Sequence, residues 1–508
     1  MNGIRPHTRR IAIAFFALFL IFALTSLLWL RLNKAPPNWD DAWYLSNSLR
    51  LYDAWTDGGV IGAVRQFLAA LGFKAPLITA LPLPFYWLFG RRWHFAYLVN
   101  MAAMLALFGA VWAIGNRLRG PRAGLMAVYI CGTAPLLYGL SRWYLVEYPL
   151  AAVVAMAFWL ALVAAADESS LPTLAFGAVC GLGLLLKADF PLFVSPVGAW
   201  LVLRRRDRWK TLLTILIPAF LLAAPWYCLH WRATLQNAIS AGYGASAMIQ
   251  GTGEIFSLPA VSKYLGMAVK RGISEYYLAV ALLAAALAAW WRREAFRETA
   301  RLLLWLAPFP VFVFGGNKDV RYIAPILPAF ALGAACLLDC VTERRRWIGV
   351  AMLAFPLASL LAVSFGWPYA ATDAGYAIRY DPYPWRQDEI LTTIAEGALF
   401  PHAGQKVLLL GTDRGRFNAD NFQLCALQDR LPLRVETTAY GRSLDDLLRQ
   451  AGAADYFVYK EGGEAESEFF NTHAAELRQR LRESTEWVEI PFGLALPDGG
   501  TAHILRRR

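Results

Sequence analysis

Apolar runs of about the length of a membrane span recur along the first 365 residues. The first run, Ile11–Leu30, carries no charged residue. Ten further runs lie at 94–115, 123–140, 149–166, 171–186, 188–203, 211–230, 276–291, 301–315, 321–340 and 346–364. Because a helix needs about 20 apolar residues to cross a bilayer, the pattern predicts a polytopic α-helical membrane protein with about eleven transmembrane helices.

The stretch between the first two runs follows a different pattern. Pro76–Gly90 is apolar but short and contains three prolines, so we expect it to be re-entrant or interfacial, although the sequence leaves open whether it spans the membrane. Apolar residues at helical spacing between 44 and 71 predict two amphipathic helices on the membrane surface. Both belong to the first extramembrane loop, 31–93.

The pattern changes again after about residue 365. Short apolar strands are predicted at 406–411, 433–437, 455–460 and 486–490, with helical patterns at 418–428, 443–452 and 464–483. Strands that alternate with helices are typical of an α/β fold. We therefore expect a transmembrane module over 1–365 and a soluble α/β domain over 366–508.

The net charge of +12 comes largely from arginines in short loops between the apolar runs. A basic soluble protein would suggest nucleic acid as a partner, but here the positive-inside rule explains the excess, and no nucleic-acid partner is predicted. Placing the basic loops in the cytoplasm puts the N-terminus there as well. The loop 31–93 and everything after about residue 365 then lie on the opposite face.

Acidic residues recur on that opposite face. Asp40 and Asp41 follow the first run, and Glu147 lies between two later runs. The simpler explanations are a solvated pair that caps a helix beginning at Ala42 and, for Glu147, pairing with Arg142 or exposure. Functional explanations are proton transfer by a carboxylate or a site for a divalent cation formed by all three acids.

Basic side chains share the same face. Lysines stand at 74, 187 and 318, and Arg321-Tyr322 leads directly into a predicted span. Each lysine could simply reach the lipid headgroups, and the arginine could be an interfacial anchor. Lysine and arginine are also the side chains that bind phosphate. Acids and cations on one face suit a lipid-linked phosphate as leaving group and an acceptor hydroxyl as nucleophile, and this chemistry requires no cofactor.

The motifs NWDDAWY, FKAPL, SRWYLVEYPL, GLLLKADFPLF and NKDVRYIAPILP, in this order, resemble the GT-C membrane glycosyltransferases. The likeness is to the bacterial dolichyl-phosphate-mannose-protein mannosyltransferases and the lipid A aminoarabinose transferases, and it covers about 1–365. It implies an inverting hexosyl- or pentosyltransferase of the bacterial inner membrane. The donor would be a polyprenyl-phosphate-linked sugar used on the periplasmic face, and the acceptor a lipid, a glycan or a protein.

The resemblance also implies roles for individual residues. Asp40 and Asp41 match the acidic motif of the first loop, as the base and its partner, and Glu147 matches the second periplasmic acid. Residues matched to the donor phosphate or its surroundings are Lys74, Lys187, Arg321 and Tyr322. Lys318, in the same loop as Arg321, is a further candidate for binding the donor phosphate. The family often has Asp-Glu where this chain has Asp-Asp, which leaves open which carboxylate is the base.

Two further functions fit the composition. A flippase or transporter of lipid-linked saccharides would carry charges inside its spans and some internal repeat, whereas here the charges cluster in loops and no repeat of fixed period is evident. A non-catalytic scaffold of an envelope-glycan assembly complex would tolerate loss of the acids. The one-sided set of acids and cations favours the transferase.

Overall fold

A computed structural model of the protein describes residues 6–167, 169–244, 247, 256–291, 296, 299–344, 346–397, 405–439, 443–466 and 473–508. The chain forms two compact units. The helical unit comprises Met1–Arg31, Val64–Pro82 and Tyr97–Tyr380. The α/β unit comprises Leu32–Ala63, Leu83–Ala96 and Asp381–Arg508. The α/β unit therefore contains two stretches of the first loop in addition to most of the predicted domain 366–508.

Long apolar helices dominate the described part of the chain. Five are long and apolar enough to cross a membrane, and a bent pair brings the number to six. They are Thr8–Leu32, Trp93–Leu118, Glu147–Ala164, Arg208–Tyr243, Val320–Glu343 and the pair Leu258–Ile273 with Glu275–Trp290. Shorter apolar helices are Leu77–Phe89, Leu171–Leu186, Phe190–Arg204, Ala300–Phe314 and Ala351–Phe365. The predicted polytopic helical class is confirmed, and the count of about eleven spans stays a prediction.

Small residues allow neighbouring helices of this unit to approach closely. The helices Leu98–Leu118 and Pro121–Thr133 meet at Gly115 and Gly124, where a Cβ atom on Gly115 would lie 2.7 Å from the Gly124 Cα atom. Close approach of backbones replaces the hydrophobic driving force that helices lack within lipid. The run predicted at 123–140 is interrupted at Pro135, where a second short helix, Pro135–Leu140, begins.

Ion pairs join two of the basic loops at one end of the helical unit. Arg119 Nε lies 3.1 Å from a carboxylate oxygen of Asp339, on the helix Leu327–Arg344, and Arg122 pairs with the same carboxylate. Asp339 is 3% exposed, so its charge needs these partners. The basic loop at 119–122 thus lies beside the C-terminal part of the helix Leu327–Arg344, which leads into another stretch that the charge pattern assigns to the cytoplasm.

The α/β unit contains a five-stranded sheet of order β2-β1-β3-β5-β4. The strands are β1 Lys406–Leu410, β2 Leu433–Thr437, β3 Tyr456–Glu461, β4 Trp487–Ala495 and β5 Thr501–Arg507. β1 is parallel to β2 and β3, and β5 is antiparallel to β3 and β4. The helices around it are Gln387–Gly397, Ala419–Gln428, Leu444–Ala453 and Ala474–Glu483. Four strands match the predicted ones, and β5 was not predicted.

The helix that carries the acidic pair runs over Trp39–Ala69 and is kinked at Gly59, whose φ is 60° and ψ −152°. A positive φ costs glycine little, because it has no Cβ atom. The kink separates the two helical stretches predicted from the apolar spacing. Pro76–Gly90 forms two short helices, Leu77–Ala80 and Leu83–Phe89. Part of the helix predicted at 464–483 lies outside the described residues, and the described helix begins at Ala474.

Candidate active site

Glu147 lies at the centre of a cluster of charged side chains in the helical unit. It is the first residue of the helix Glu147–Ala164, where a carboxylate interacts favourably with the helix dipole. Only 2% of Glu147 is exposed, so the ionised carboxylate needs cationic partners. Arg142, the partner suggested by the sequence, instead donates to Ser364 Oγ at 2.8 Å.

Lys187 is the first cation that meets Glu147. It follows the last residue of the helix Leu171–Leu186, and its Nζ atom lies 3.1 Å from Glu147 Oε1 and 3.2 Å from Asp189 Oδ2. The ammonium also lies 4.1 Å from the centre of the Tyr322 ring. Burial alone would lower the pKa of Lys187, but the carboxylates of Asp189 and Glu147 outweigh it and raise this pKa above its usual value. Lys187 is therefore a permanent cation.

Arg321 is the second cation of the cluster. Its Nε atom lies 2.9 Å from Asp319 Oδ2 and 3.8 Å from Glu147 Oε1. Asp319 precedes the 3₁₀ helix Val320–Ile326, and its Oδ1 atom accepts a hydrogen bond from the Arg321 backbone N–H at 3.0 Å. The same loop thus supplies both the guanidinium and the acid that orients it.

Tyr376 completes this network from a segment after the last predicted span. Its hydroxyl donates to the two carboxylate oxygens of Asp319 at 3.0 and 3.2 Å. The indole of Trp143 donates to the Tyr376 carbonyl oxygen at 3.0 Å and holds this segment in place. Burial is the main reason why the pKa of Tyr376 lies well above its usual value, so the hydroxyl keeps its proton.

We expect the Tyr376→Phe variant to weaken the orientation of Arg321 without changing its charge. A hydrogen bond to a charged group contributes about 1.5–3 kcal/mol, so the variant should lose about that much in free energy of unfolding. Thermal unfolding of the purified protein measures the effect. The matched control is Tyr380→Phe, since the Tyr380 ring contacts Phe365 and no hydrogen bond of its hydroxyl is found among the described residues. Equal unfolding midpoints for the two variants would contradict the prediction.

The cations of the cluster are more exposed than the acid that they surround. The side chains of Arg321 and Lys187 are 15% and 20% exposed, whereas that of Glu147 is 3% exposed. The cations are thus reachable by a ligand, and Glu147 lies behind them. This arrangement can bind an anion such as a phosphate, with the buried acid holding both cations in position.

The two remaining lysines lie in different surroundings. Lys318 is 4% exposed, and its Nζ atom donates at 2.6 Å to the carbonyl oxygen of Val313, in the preceding helix Phe309–Phe314. Lys74 is half-buried and directly precedes Ala75, which packs with Leu185 and Trp226. Lys74 therefore adjoins a segment that packs on the helix Leu171–Leu186, which ends just before Lys187. The ammonium of Lys318, in contrast, binds a backbone carbonyl oxygen.

Asp40 and Asp41 belong to the α/β unit. The helix begins at Trp39, so both carboxylates lie in its first turn rather than before a helix beginning at Ala42. Asp41 is 2% exposed and Asp40 is half-buried. Acids in a first turn stabilise a helix by about 0.3–1 kcal/mol each. The burial of Asp41 contradicts the explanation as a solvated pair, and the position of both acids is compatible with a proton-transfer role.

Three members of the cluster were not among the predicted site residues. Asp189 and Asp319 each stand two positions from a predicted cation, and this spacing is the signal that could have identified them. Tyr376 gave no such signal, because its partner Asp319 is 57 residues away in the chain.

Comparisons with known proteins agree with the resemblance seen in the motifs. The family model of dolichyl-phosphate-mannose-protein mannosyltransferases matches residues 74–231, a segment that includes Lys74, Glu147 and Lys187. An undecaprenyl phosphate-alpha-4-amino-4-deoxy-L-arabinose arabinosyl transferase from Edwardsiella ictaluri is 28% identical over 152 residues. That match spans 28% of this chain and only 27% of the relative.

Solved structures extend the likeness to nearly the whole chain. ArnT from Cupriavidus metallidurans, bound to undecaprenyl phosphate, is 16% identical with a TM-score of 0.60. The match covers 96% of this chain and 97% of the ArnT chain. The mycobacterial arabinofuranosyltransferase AftD is 14% identical with a TM-score of 0.56 and covers 96% of this chain and 40% of its own. The fold is that of the GT-C membrane glycosyltransferases, which confirms the predicted resemblance.

Proposed function

We propose that this chain, which resembles the GT-C membrane glycosyltransferases, transfers a sugar from a polyprenyl-phosphate-linked donor to a hydroxyl of an envelope acceptor. The observation that carries the proposal is the pair of partly exposed cations, Lys187 and Arg321, held side by side over the buried Glu147. Two fixed cations at one site suit the phosphate of a lipid-linked donor. The undecaprenyl phosphate bound in the Cupriavidus relative belongs to the same chemical class.

The proposed reaction is a single displacement at the anomeric carbon. The acceptor hydroxyl oxygen attacks this carbon from the side opposite the phosphate, a carbon–oxygen bond forms, and the bond to the phosphate oxygen breaks. Asp40 or Asp41 takes the hydroxyl proton as general base. The polyprenyl phosphate leaves with the bonding electron pair, and Lys187 and Arg321 stabilise its developing charge. The product has inverted configuration.

Glu147 has a supporting role in this proposal. It lies behind the cations, where it keeps two positive side chains close together in spite of their mutual repulsion. Lys74 and Tyr322 are proposed to line the same phosphate site, Tyr322 by stacking beneath the Lys187 ammonium. Lys318, whose ammonium binds a backbone carbonyl, would stabilise the loop that carries Arg321.

The requirement for a divalent cation is a separate part of the proposal. Among the described residues, no three His, Cys, Asp or Glu side chains come together as a metal site. We propose that the base mechanism operates with protein groups. Full activity in a chelator would support this, and loss of activity that Mg²⁺ or Mn²⁺ restores would overturn it and point to Asp40, Asp41 and Glu147 as candidate ligands.

The proposed location is the bacterial inner membrane, with the N-terminus in the cytoplasm and the α/β unit in the periplasm. The arginine loops between the apolar runs support this orientation, and the loop at 119–122 pairs with Asp339 near the end of the helix Leu327–Arg344. We expect an alkaline phosphatase fusion after residue 92 to be active and a fusion after Arg206 to be inactive. The opposite activities would contradict the orientation.

The deciding experiment uses the purified protein in lipid with radiolabelled polyprenyl-phosphate hexoses and pentoses. Transfer of labelled sugar to an acceptor, or slow hydrolysis of the donor by water as a side reaction, would support a transferase. Movement of intact donor across vesicle membranes without cleavage would support a flippase. Neither cleavage nor movement of any donor, in protein that is folded and inserted, would contradict both and support the scaffold.

A further inference from the structure

The sheet of the α/β unit has a topological switch point between β1 and β3. The helix after β1, Ala419–Gln428, packs through Phe422 and Ala426 with one set of strand side chains. The helix after β3, Ala474–Glu483, packs through Leu477 and Leu481 with the set that faces the other way. Connections that leave a strand pair on opposite faces open a crevice at the carboxyl ends of those strands, and this is where such sheets bind ligands.

The loop after β1 lies at this edge of the sheet, and residues of the first loop contact it. Trp39, at the start of the acidic helix, donates its indole N–H to Asp413 Oδ1 at 2.7 Å. A Cβ atom on Gly415 would lie 3.6 Å from Asn38 and 3.7 Å from the Trp39 ring, so the loop backbone packs against both residues. Arg416 donates to the Pro36 carbonyl oxygen at 2.8 Å.

Asp413 is itself fixed by neighbouring groups. It is 8% exposed, and its backbone N–H donates to Glu466 Oε2 at 3.0 Å. Arg414 pairs with the other oxygen of Glu466 at 3.1 Å. These bonds hold the backbone of the loop that carries Asp413, so the loop does not have to be ordered when the contact with the indole forms.

A second contact fixes the same helix further along. Arg91 forms two hydrogen bonds, of 2.5 and 2.6 Å, to the carboxylate of Asp53. It also donates to the carbonyl oxygens of Leu427 and Gln428, at the end of the helix Ala419–Gln428. Trp39 and Asp53 are about 21 Å apart along the helix axis. Two contacts at that separation fix the direction of the helix as well as its start.

We propose that the switch-point crevice serves to position the acidic pair, with Trp39 and Asp413 as positioning residues for Asp40 and Asp41. The inference rests on the proposed function, in which one of these acids is the base. The inference assigns a role to the α/β unit. Related sheets bind a small ligand at the switch point, whereas in this protein the same edge of the sheet binds the first turn of the helix that carries the base.

The test compares Asp413→Ala with Asp413→Asn, which keeps an oxygen acceptor for the indole. We expect kcat of the Ala variant to fall about 10²-fold, the cost of a misplacement of about 1 Å, with an unchanged KM for the donor. The Asn variant should retain most of the activity. Trp39→Phe, which removes the indole donor and part of the ring that packs near Gly415, should behave like Asp413→Ala. Asp445→Ala, an exposed acid of the same unit, is the matched control.

Hydrogen exchange provides a readout that does not depend on activity. We expect amide exchange in residues 39–47 to become faster in Asp413→Ala and Trp39→Phe and to stay at the wild-type rate in Asp445→Ala. Wild-type protein without transferase activity would contradict the proposed function, while the exchange result would still test the contact. Unchanged exchange and unchanged kcat in Asp413→Ala, or equal losses in the Ala and Asn variants, would overturn the inference.

Discussion

Transfer activity is expected to fall by about 10²–10⁴-fold when the general base of the pair Asp40-Asp41 is replaced by Asn, because a positioned base contributes that much to the rate. An amide cannot take the proton of the acceptor hydroxyl, yet it has nearly the size of the carboxylate. Both Asp40→Asn and Asp41→Asn are needed, since the two acids lie in the same helical turn. The variant with the larger loss identifies the base, and the other acid is its partner.

Measured parameters separate a lost base from a disturbed fold. We expect kcat to fall and donor affinity to remain, because the candidate phosphate ligands Lys187 and Arg321 belong to the helical unit and the acids to the α/β unit. The matched control is Asp57→Asn, an exposed acid on the same helix. If both variants of the pair keep wild-type kcat while inserted normally, neither acid is the base.

The second large effect is expected for Lys187→Met. This change leaves Glu147, which is 2% exposed, without its nearest cation. Removing one partner of a buried ion pair costs about 3–5 kcal/mol. Because Arg321 Nε still lies 3.8 Å from Glu147 Oε1, we expect a loss at the lower end of this range. We therefore expect a lower thermal unfolding midpoint together with loss of donor-phosphate binding.

A double variant distinguishes the two consequences. In Lys187→Met with Glu147→Gln, the buried site carries less unpaired charge, so we expect much of the stability to return. Donor binding should not return, because the phosphate ligand is still absent. Lys270→Met is the control: Lys270 and its partner Glu275 are 71% and 70% exposed, and such pairs contribute about 0–1 kcal/mol. Donor affinity at the wild-type level in the double variant would contradict a phosphate role for Lys187.

The two compact units divide the proposed chemistry between them. The helical unit supplies cations that are oriented by buried acids, as in the chain of contacts from Tyr376 through Asp319 to Arg321. The α/β unit supplies the acidic helix and the loop that binds its first turn. We therefore expect variants of the first set to act on donor affinity and variants of the second set to act on kcat.

Much of the fold follows from local patterns in the sequence. Apolar runs predict helices because a backbone within lipid must satisfy its hydrogen bonds internally. β1 to β4 are marked by short apolar runs between turn residues. β5, Thr501–Arg507, ends in arginines and has only Ile504-Leu505 as an apolar pair, and it is a strand because β3 and β4 pair with it on either side. That pairing depends on distant residues, so local pattern could not predict it.

The sequence by itself determined the polytopic helical class, the small α/β fold, and the acids and cations that are candidates for chemistry. Only the tertiary structure decided how they combine: Glu147 pairs with Lys187, 40 residues away, rather than with nearby Arg142. It also showed that Trp39 binds Asp413, 374 residues away. Composition and spacing indicate which side chains of a segment are apolar enough to be buried. The partner of a buried charge or a hydrogen-bond donor is selected by packing between distant segments, which short-range pattern does not contain.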